Sequence, residues 1–159
     1  MAVLEIKTAG DPVLKHLAMP VAKIDKRIKK LLDDMAETMY ATDGVGIAAP
    51  QVGVSIRAIV VDVGQKRFDM INPEITYREG SAVDVEGCLS CPNLFGDVER
   101  AEKIRVRYTT RYHKEREIEV EGLLARCIQH EIDHLNGRLF IDIAQNIHRG
   151  KPNREGQET

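Results

Sequence analysis

Residues Gln129-His130-Glu131-Ile132-Asp133-His134 carry the strongest structural signal in this sequence. In a helix, side chains four positions apart lie about one turn apart on one face, so His130 and His134 can bind a single metal ion. Glu131 follows the first histidine, an arrangement typical of hydrolases in which a carboxylate takes a proton from water. The alternative is a solvated amphipathic helix that carries histidines by chance. A metal-dependent hydrolase also needs a third ligand and an oxyanion donor.

The residues around this motif predict a helix from Gly122 to about Asn136, with Gly137 as its stop. A second helix is predicted from Asp25 to about Ala41, because apolar residues recur there every three or four positions and Asp25 can cap its start. The two helices are separated by a long stretch without helical periodicity, which indicates that strands fill the middle of the chain.

That middle stretch predicts several strands. The apolar run Ile56–Val63 reads as a buried strand, and Met70–Pro73 as a short strand ended by its proline. Residues 74–100 suggest several brief extended pieces. Lys103–Tyr108 and Glu115–Val120 alternate apolar and polar residues, as the two arms of a hairpin do. The mixture predicts an α+β fold.

Length and composition restrict the class of protein. The 159 residues suit one domain, which we place at residues 1–150, with a disordered tail at 151–159. A formal charge of −2 argues against nucleic acid as the main partner. No apolar run approaches the ~20 residues of a membrane span. Three cysteines do not suggest a disulfide framework, so a reducing cytoplasm is the expected location.

The best candidate for the third ligand is Cys88. One thiolate and two imidazoles fill three tetrahedral positions and leave the fourth for water. The rival is a closed structural zinc site that also uses Cys91, which would make the chain a binding module. Two points count against it: a gap to His130 far longer than in zinc fingers, and the expectation that residues three apart in an extended segment face opposite sides. His16, His113 and His148, in the lead-in, in a turn and near a frayed end, are expected at the surface.

A loop of small residues, Gly44–Gly53, contains the candidate oxyanion donor. No Lys-Ser/Thr pair follows its glycines and the full dinucleotide fingerprint is absent, so phosphate binding is disfavoured. Small side chains let a substrate backbone approach closely, and the amide of Gln51 can donate a hydrogen bond to a developing oxyanion.

Three segments, Gly44–Gln51, Glu86–Ser90 and Gln129–His134, together resemble the three signature motifs of peptide deformylase. The likeness extends over about residues 10–142. It implies antiparallel sheets packed around the helix that carries the histidine motif, with one further N-terminal helix. It also implies the activity: removal of the formyl group from the N-terminal formyl-methionine of nascent chains, with release of formate.

The resemblance assigns roles to residues of all three segments. The implied metal ligands are Cys88, His130 and His134. Glu131 would act as general base and then as general acid, and Gln51 with the backbone N–H of Leu89 would stabilise the oxyanion. The implied substrate-binding residues are Gly44, Val45, Gly46, Leu123 and Cys127, although Leu123 and Cys127 also fit a structural core. Apart from the resemblance, Glu86, Arg100 and Asp133 are candidates for a charged network behind the ligands, and the alternative for each is an ordinary surface charge.

The resemblance also implies a cofactor and partners. Family members commonly use Fe(II), and zinc, nickel or cobalt can occupy the site. The expected partners are formyl-methionyl peptides and nascent chains, with the ribosome as a further candidate and neither membrane nor nucleic acid. Two departures stand out: little sequence follows Asp142, where longer members carry a C-terminal helix, and Asp84 and Arg126 fall where an apolar pocket lining is expected. A general metallopeptidase remains an alternative, although it does not require Cys88.

Overall fold

Two α-helices and eight strands make up the regular structure of residues 2–150, the part of the chain that the computed structural model describes. The helices are α1 (Lys26–Ala41) and α2 (Gly122–Leu135). The strands are β1 (Gly46–Ala48), β2 (Ala58–Val61), β3 (Phe68–Glu79), β4 (Ala82–Cys88), β5 (Cys91–Arg100), β6 (Lys103–Thr109), β7 (Glu115–Glu121) and β8 (Gln145–Arg149). The predicted tail at 151–159 lies outside the described residues.

The strands form two antiparallel sheets. A five-stranded sheet has the order β1-β2-β3-β6-β7, and a three-stranded sheet has the order β4-β5-β8. Both predicted helices and the predicted hairpin of β6 and β7 are confirmed, as is the α+β class. In the described residues, neither helix combines the length and the apolarity needed to cross a membrane. The assignment of residues 1–150 to one domain stays a prediction.

Helix α1 covers one face of the five-stranded sheet. Its N-terminus is capped as predicted, because the Asp25 carboxylate accepts a hydrogen bond of 3.1 Å from the backbone N–H of Ile28. The buried residues of this layer come from α1, β1, β2, β3 and the turn after β1: Leu32, Met35, Ala36, Met39, Ile47, Ala49, Ala58, Val60 and Ile71. Burial of each large side chain contributes on the order of 1.5–3 kcal/mol.

Helix α2 covers the opposite face of the same sheet. Strand β2 shows why: Ala58 and Val60 face α1, whereas Ile59 and Val61 pack in the cluster that contains α2. Because successive strand residues face opposite sides, a strand between two helices must be apolar throughout, as the sequence of β2 is. Helix α2 is therefore an almost fully buried helix, and polar side chains on it are held inside the protein.

The end of α2 depends on a glycine. Gly137 follows the last turn with φ of +75°, a left-handed conformation that favours glycine. A β-carbon at this position would lie 2.5 Å from the carbonyl oxygen of Lys15. The predicted stop signal is thus also a point of close contact between α2 and the N-terminal segment.

Two strand predictions are wrong. Strand β3 does not end at Pro73 but continues to Glu79. Asn72 adopts φ of +53°, and the pairing with β6 shifts register between Ile71 and Glu74, so the proline sits in an irregularity that needs no N–H donor. The expected brief pieces over residues 74–100 are instead the rest of β3 and two long strands, β4 and β5.

The end of the described chain also differs from expectation. Residues near His148 were expected to fray, yet β8 pairs antiparallel with β5, with His148 opposite Phe95. The two rings lie 6.2 Å apart between centroids. This pairing brings a segment far along the chain to the edge of the cavity described next.

Candidate metal centre and active site

A cavity of about 590 Å³ lies between the loop before β1, the end of β4 and the first turns of α2. Nearly all residues singled out in the sequence border it: Gly44, Val45, Gly46, Gln51, Cys88, Leu89, Leu123, Cys127, His130 and Glu131. His134 does not border the cavity; it lies deeper, with 1% of its surface exposed. The structure therefore brings together residues from all three sequence segments.

Three potential metal ligands converge at the inner end of this cavity. One donor atom each from Cys88, His130 and His134 lies within 4.8 Å of the others. The Sγ of Cys88 lies 3.3 Å from Nε2 of His134. Cys88 ends strand β4, whereas both histidines lie on α2, so the three donors come from two different layers of the fold. Such a thiolate and imidazole set fits a tetrahedral cation with one open position.

The electrostatics of these side chains also fit a cation. Hydrogen bonding with Cys91, burial and the charge of Glu131 raise the pKa of Cys88 well above its usual range. Burial, with the nearby charge of His130, lowers the pKa of His134 well below its usual range, so this imidazole is neutral, as a ligand must be. Nδ1 of His134 is buried without a hydrogen-bond partner among the described residues. A cation among these groups would favour the thiolate and the neutral imidazoles together.

His130 is oriented by a hydrogen bond. Its Nδ1 lies 2.9 Å from Oε1 of Glu86, which leaves Nε2 to bind the ion. Burial opposes a charge on His130, but the bond to Glu86 and the charges of Glu131 and Glu86 outweigh it and raise its pKa. The ring also stacks on Phe140, 25° between planes.

Glu131 is a buried carboxylate beside the ligands. It is 4% exposed, and its Oε1 has no hydrogen-bond partner among the described residues. Burial raises the pKa of Glu131 to about 7. Among the neighbouring charges, those of His130 and Arg100 lower this pKa and those of Glu86 and Asp133 raise it. A carboxylate with a free oxygen that faces a cavity can exchange protons with a molecule bound there.

Gly46 makes room for this carboxylate. A β-carbon at Gly46 would lie 2.6 Å from Oε2 of Glu131 and 2.6 Å from Sγ of Cys127. Strand β1 pairs with β2 on one side only, so its other edge is the border of the cavity. The backbone at Gly46 is therefore available to a ligand that lies along this edge.

Gln51 is held in a fixed orientation. Its Oε1 accepts a bond of 2.9 Å from the backbone N–H of Ala48, and its Nε2 donates to Oγ of Ser90 at 3.1 Å. The same Nε2 lies 3.7 Å from Sγ of Cys88. Leu89, the residue after Cys88, occupies the turn between β4 and β5 and borders the cavity. Both predicted oxyanion donors thus adjoin the candidate ligand Cys88.

Four residues form what we call the buried charge cluster: Glu86, Arg100, Arg126 and Asp133. Arg100 binds both oxygens of Glu86 at 2.9 Å and Asp133 at 2.6 Å. Burial opposes the charge of Glu86, but its bonds to Arg100 and His130 outweigh it and hold its pKa far below the usual range. The charged network expected from Glu86, Arg100 and Asp133 is therefore present, and it contacts His130 directly.

One argument made from the sequence about Cys91 is wrong. Cys88 and Cys91 are not three apart in an extended segment; they are opposite each other across the two-residue turn of the β4–β5 hairpin. Opposite residues share a face of the sheet. Cys91 nevertheless packs among apolar side chains in a cluster that includes Leu14, Val98, Leu139 and Phe140. In residues 2–150, the group of mutually close donors contains Cys88 but not Cys91.

Sequence reasoning assigned no role at this site to three residues that border the cavity: Phe95, Arg126 and His148. His148 borders the cavity because β8 pairs with β5, and Phe95 lies beside it. Arg126, expected only as an oddity of the pocket lining, belongs to the buried charge cluster through a 2.7 Å bond to Glu86. Its position four residues before His130 was the available signal, since it places both on one face of α2.

The sequence and the structure of this chain were compared with those of known proteins. Residues 3–150 match the protein family described as polypeptide deformylase. A peptide deformylase of Carboxydothermus hydrogenoformans is 56% identical over 149 residues, which cover 94% of this chain and 98% of that protein. One from Thermoanaerobacter pseudethanolicus is 54% identical over 144 residues, 91% of each chain. The crystal structure of the Thermotoga maritima peptide deformylase superposes with a TM-score of 0.88, at 46% identity, over 96% of this chain and 100% of that one.

These likenesses extend over almost the whole chain and include every segment that borders the cavity. The chain therefore belongs to the peptide deformylase family, metal-dependent enzymes that hydrolyse the N-formyl group of newly synthesised polypeptides.

Proposed function

We propose that this chain deformylates N-formyl-methionyl peptides with one divalent ion held by Cys88, His130 and His134. The observation that carries the proposal is the convergence of these three donors at the inner end of a cavity that Glu131 also borders. A site of this composition keeps one tetrahedral position for water or substrate.

The donor set suits more than one metal. One thiolate with two imidazoles accepts Fe(II) or Zn(II), and nickel and cobalt bind similar sets. We propose Fe(II) as the native ion. Bound there, the ion acidifies water and polarises a carbonyl group, and its presence on an accessible thiolate makes Cys88 prone to oxidation.

Glu131 is the proposed proton carrier. Its carboxylate takes a proton from the attacking water and later returns it to the amine that leaves the formyl carbon. The buried position and the free Oε1 support this role, since a proton on Glu131 has no competing acceptor among the described residues. Formate is then released and the peptide keeps a free amino group.

Gln51 and Leu89 are the proposed oxyanion donors. The amide of Gln51 is fixed by Ala48 and Ser90, so it can meet the developing negative charge without reorganisation. The N–H of Leu89 adjoins the ligand Cys88 in a tight turn. Loss of one such donor typically costs about 10²–10³ in rate.

The free edge of β1 is the proposed binding site for the substrate backbone. The small residues Gly44 and Gly46 let an extended peptide lie against this edge, and the methionine side chain would occupy the apolar part of the cavity. Val45, Leu123 and Cys127 would be its walls. Leu123 is 52% exposed, which leaves apolar surface for a ligand to cover.

The proposal is tested by formate release from a formyl-methionyl peptide under anaerobic conditions, with the enzyme loaded with Fe(II) and its metal content measured. We expect formate and free amine in equal amounts. Glu131→Gln should keep the metal but lose at least about 10³ in kcat, because the proton carrier is gone. The exposed Glu115→Gln serves as the matched control.

Two outcomes would contradict this assignment. Cleavage of internal peptide bonds without formate would indicate a general metallopeptidase, and rapid turnover by the Glu131→Gln variant would show that another group carries the proton. An acetyl-methionyl peptide, which carries a methyl group in place of the formyl hydrogen, serves as the substrate control.

Cys91→Ser separates this enzyme from a closed zinc site. We expect the variant to keep its metal and its turnover, since Cys91 packs in an apolar cluster, and to lose about 1–3 kcal/mol of stability from the buried hydroxyl. A folded variant without metal would point to Cys91 as a ligand. The cytoplasmic location and a contact with the ribosome stay predictions made from the sequence.

A further inference from the structure

We propose that Arg126 is a positioning residue that acts on the candidate ligand His130 through Glu86 and so couples the wall of the cavity to the metal centre. This inference rests on the proposed function, because it takes His130 as a metal ligand. It goes beyond that function by assigning a role to a residue that contacts neither the ion nor the proton carrier.

The guanidinium of Arg126 makes three hydrogen bonds, all from its two terminal nitrogens. Nη1 donates to Oε2 of Glu86 at 2.7 Å and to the carbonyl of Val98 at 3.0 Å, and Nη2 donates to the carbonyl of Ala82 at 2.8 Å. The side chain is only 11% exposed. Because its acceptors lie on β4 and β5, Arg126 joins α2 to both strands of the hairpin that carries Cys88.

Glu86 connects Arg126 with His130. Its Oε2 accepts from Arg126 and from Nε of Arg100, while its Oε1 accepts from Nη2 of Arg100 and from Nδ1 of His130. The carboxylate is therefore held from both sides in the one orientation that presents Oε1 to the imidazole. Hydrogen bonds of this kind set the ring orientation and basicity of a metal-binding histidine.

Arg100 orients Glu86 through two hydrogen bonds, but it does not balance the carboxylates of the cluster alone. Its guanidinium is shared with Asp133, at 2.6 Å from Nη1, so one cation faces two carboxylates in a buried site. Arg126 brings the second cation, and its spacing of four residues from His130 puts both side chains on one face of α2. Charge-assisted bonds to a buried carboxylate are strong and directional.

Arg126 also borders the cavity beside Asp84. Both of its terminal nitrogens donate to protein acceptors, and one of these acceptors is the carboxylate of Glu86. The cavity wall thus contains an arginine where apolar residues are expected. The charge of Arg126 is compensated within the protein by the carboxylate of Glu86. A substrate that contacts this wall would therefore contact a residue that orients His130 through Glu86.

The test measures metal release rather than turnover. Cobalt-loaded or zinc-loaded protein is mixed with excess chelator, and the dissociation rate is followed for Arg126→Met and Arg126→Lys. We expect about 3–10-fold faster release from Arg126→Met, less than the roughly 10–100-fold typical for a direct partner of a metal ligand, because Arg100 still holds Glu86. Arg126→Lys should restore part of the retention, and the cobalt absorption bands should shift in Arg126→Met.

A double-mutant cycle shows whether the effect passes through Glu86. In a Glu86→Gln background, Arg126→Met should add little to the rate of metal release, since the shared carboxylate is already lost. Equal acceleration in both backgrounds would overturn the proposal. So would release from folded Arg126→Met within two-fold of the parent protein, a result that does not depend on whether Glu86→Gln folds.

Two controls separate this role from general stabilisation and from the activity itself. Ile71→Val, in the cluster against α1, lowers stability by about 0.5–1.5 kcal/mol without contact with the site and should leave metal release unchanged. Arg116→Met removes an exposed arginine as a charge control. Because metal release is measured without substrate, failure of the deformylation assay and failure of this proposal give different results.

Discussion

The buried charge cluster differs in kind from a second cluster of similar composition near the surface. The surface charge cluster consists of Asp33 on α1, Arg67 and Asp69 at the start of β3, and Arg111 in the β6–β7 turn. Both contain two carboxylates and two arginines. Side chains in the buried cluster are 5–18% exposed, whereas those in the surface cluster are 9–30% exposed.

Only the buried cluster contacts a candidate metal ligand, through the bond from His130 to Glu86. The surface charge cluster joins α1 to strand and turn segments, and it stays within reach of water and salt. The comparison teaches that similar ion pairs have different consequences: the buried set fixes one geometry at the site, while the surface set adds modest stability.

The largest effect is expected from Glu86→Gln. This change leaves the arginines of the buried cluster without their common carboxylate, and loss of one partner of a buried ion pair costs about 3–5 kcal/mol. Metal affinity should fall by about 10–100-fold, because the acceptor of the His130 hydrogen bond loses its negative charge. Urea unfolding and chelator competition measure the two losses. If Asp33→Asn, the matched change in the surface cluster, costs as much on both measures, the distinction between the clusters fails.

A smaller effect is expected on acidification, and it belongs to the surface cluster. Hydrogen bonding to Arg111, together with Arg67, lowers the pKa of Asp33 from 3.8 to about 2. Because the folded-state pKa lies below the unfolded one, this stabilisation is complete above about pH 4 and disappears as the pH falls towards 2. It amounts to at most about 2 kcal/mol, and solvent screening at this partly exposed site reduces it further.

The measurement is the free energy of unfolding from pH 5 to pH 2 for the parent chain and for Asp33→Asn. The difference between the two should shrink as the pH falls, since the asparagine variant lacks this titration. A difference that stays constant over this range would show that Asp33 gains nothing from its arginines.

The smallest effect is expected from salt. At 1 M ionic strength the screening length is about 3 Å, which weakens exposed pairs far more than buried ones. The cost of Arg111→Gln should therefore drop from about 0.5–1 kcal/mol at low salt towards zero in 1 M NaCl, while the cost of Arg126→Met stays nearly constant. Equal salt sensitivity of both variants, measured by urea unfolding, would show that the buried cluster is as well hydrated as the surface one.

How far the sequence predicts this molecule depends on the range of the interactions. Both helices follow from periodicity and caps, since Asp25 and Gly137 act on their own neighbours. The two candidate metal ligands on α2 follow from helical geometry alone. Thiolate chemistry makes Cys88 the best candidate for the third ligand, and the resemblance supports it, but spacing along the chain does not determine which strand end meets a helix.

The failures all involve strand pairing. The sequence alone predicts a strand end at Pro73, because proline has no N–H to donate. The register shift that accommodates this proline arises from the pairing of β3 with β6, which the local sequence does not show. Cys88 and Cys91 share a face because the two-residue turn between β4 and β5 places them opposite each other, and that turn was not predicted from the sequence. Arg126 looks out of place in a pocket wall until its three acceptors, supplied by β4 and β5, are known.

The division of the candidate ligands between α2 and the β4–β5 hairpin has a mechanical consequence. An ion bound there ties two separately hydrogen-bonded layers together, as a crosslink between distant parts of the chain would. Metal binding then raises the free energy of unfolding, by an amount that grows with the logarithm of the ratio of metal concentration to dissociation constant. On metal binding, hydrogen exchange of backbone amides should slow most at Leu89 and Ser90. These residues form the short turn next to Cys88, which the ion would tie to the buried helix α2.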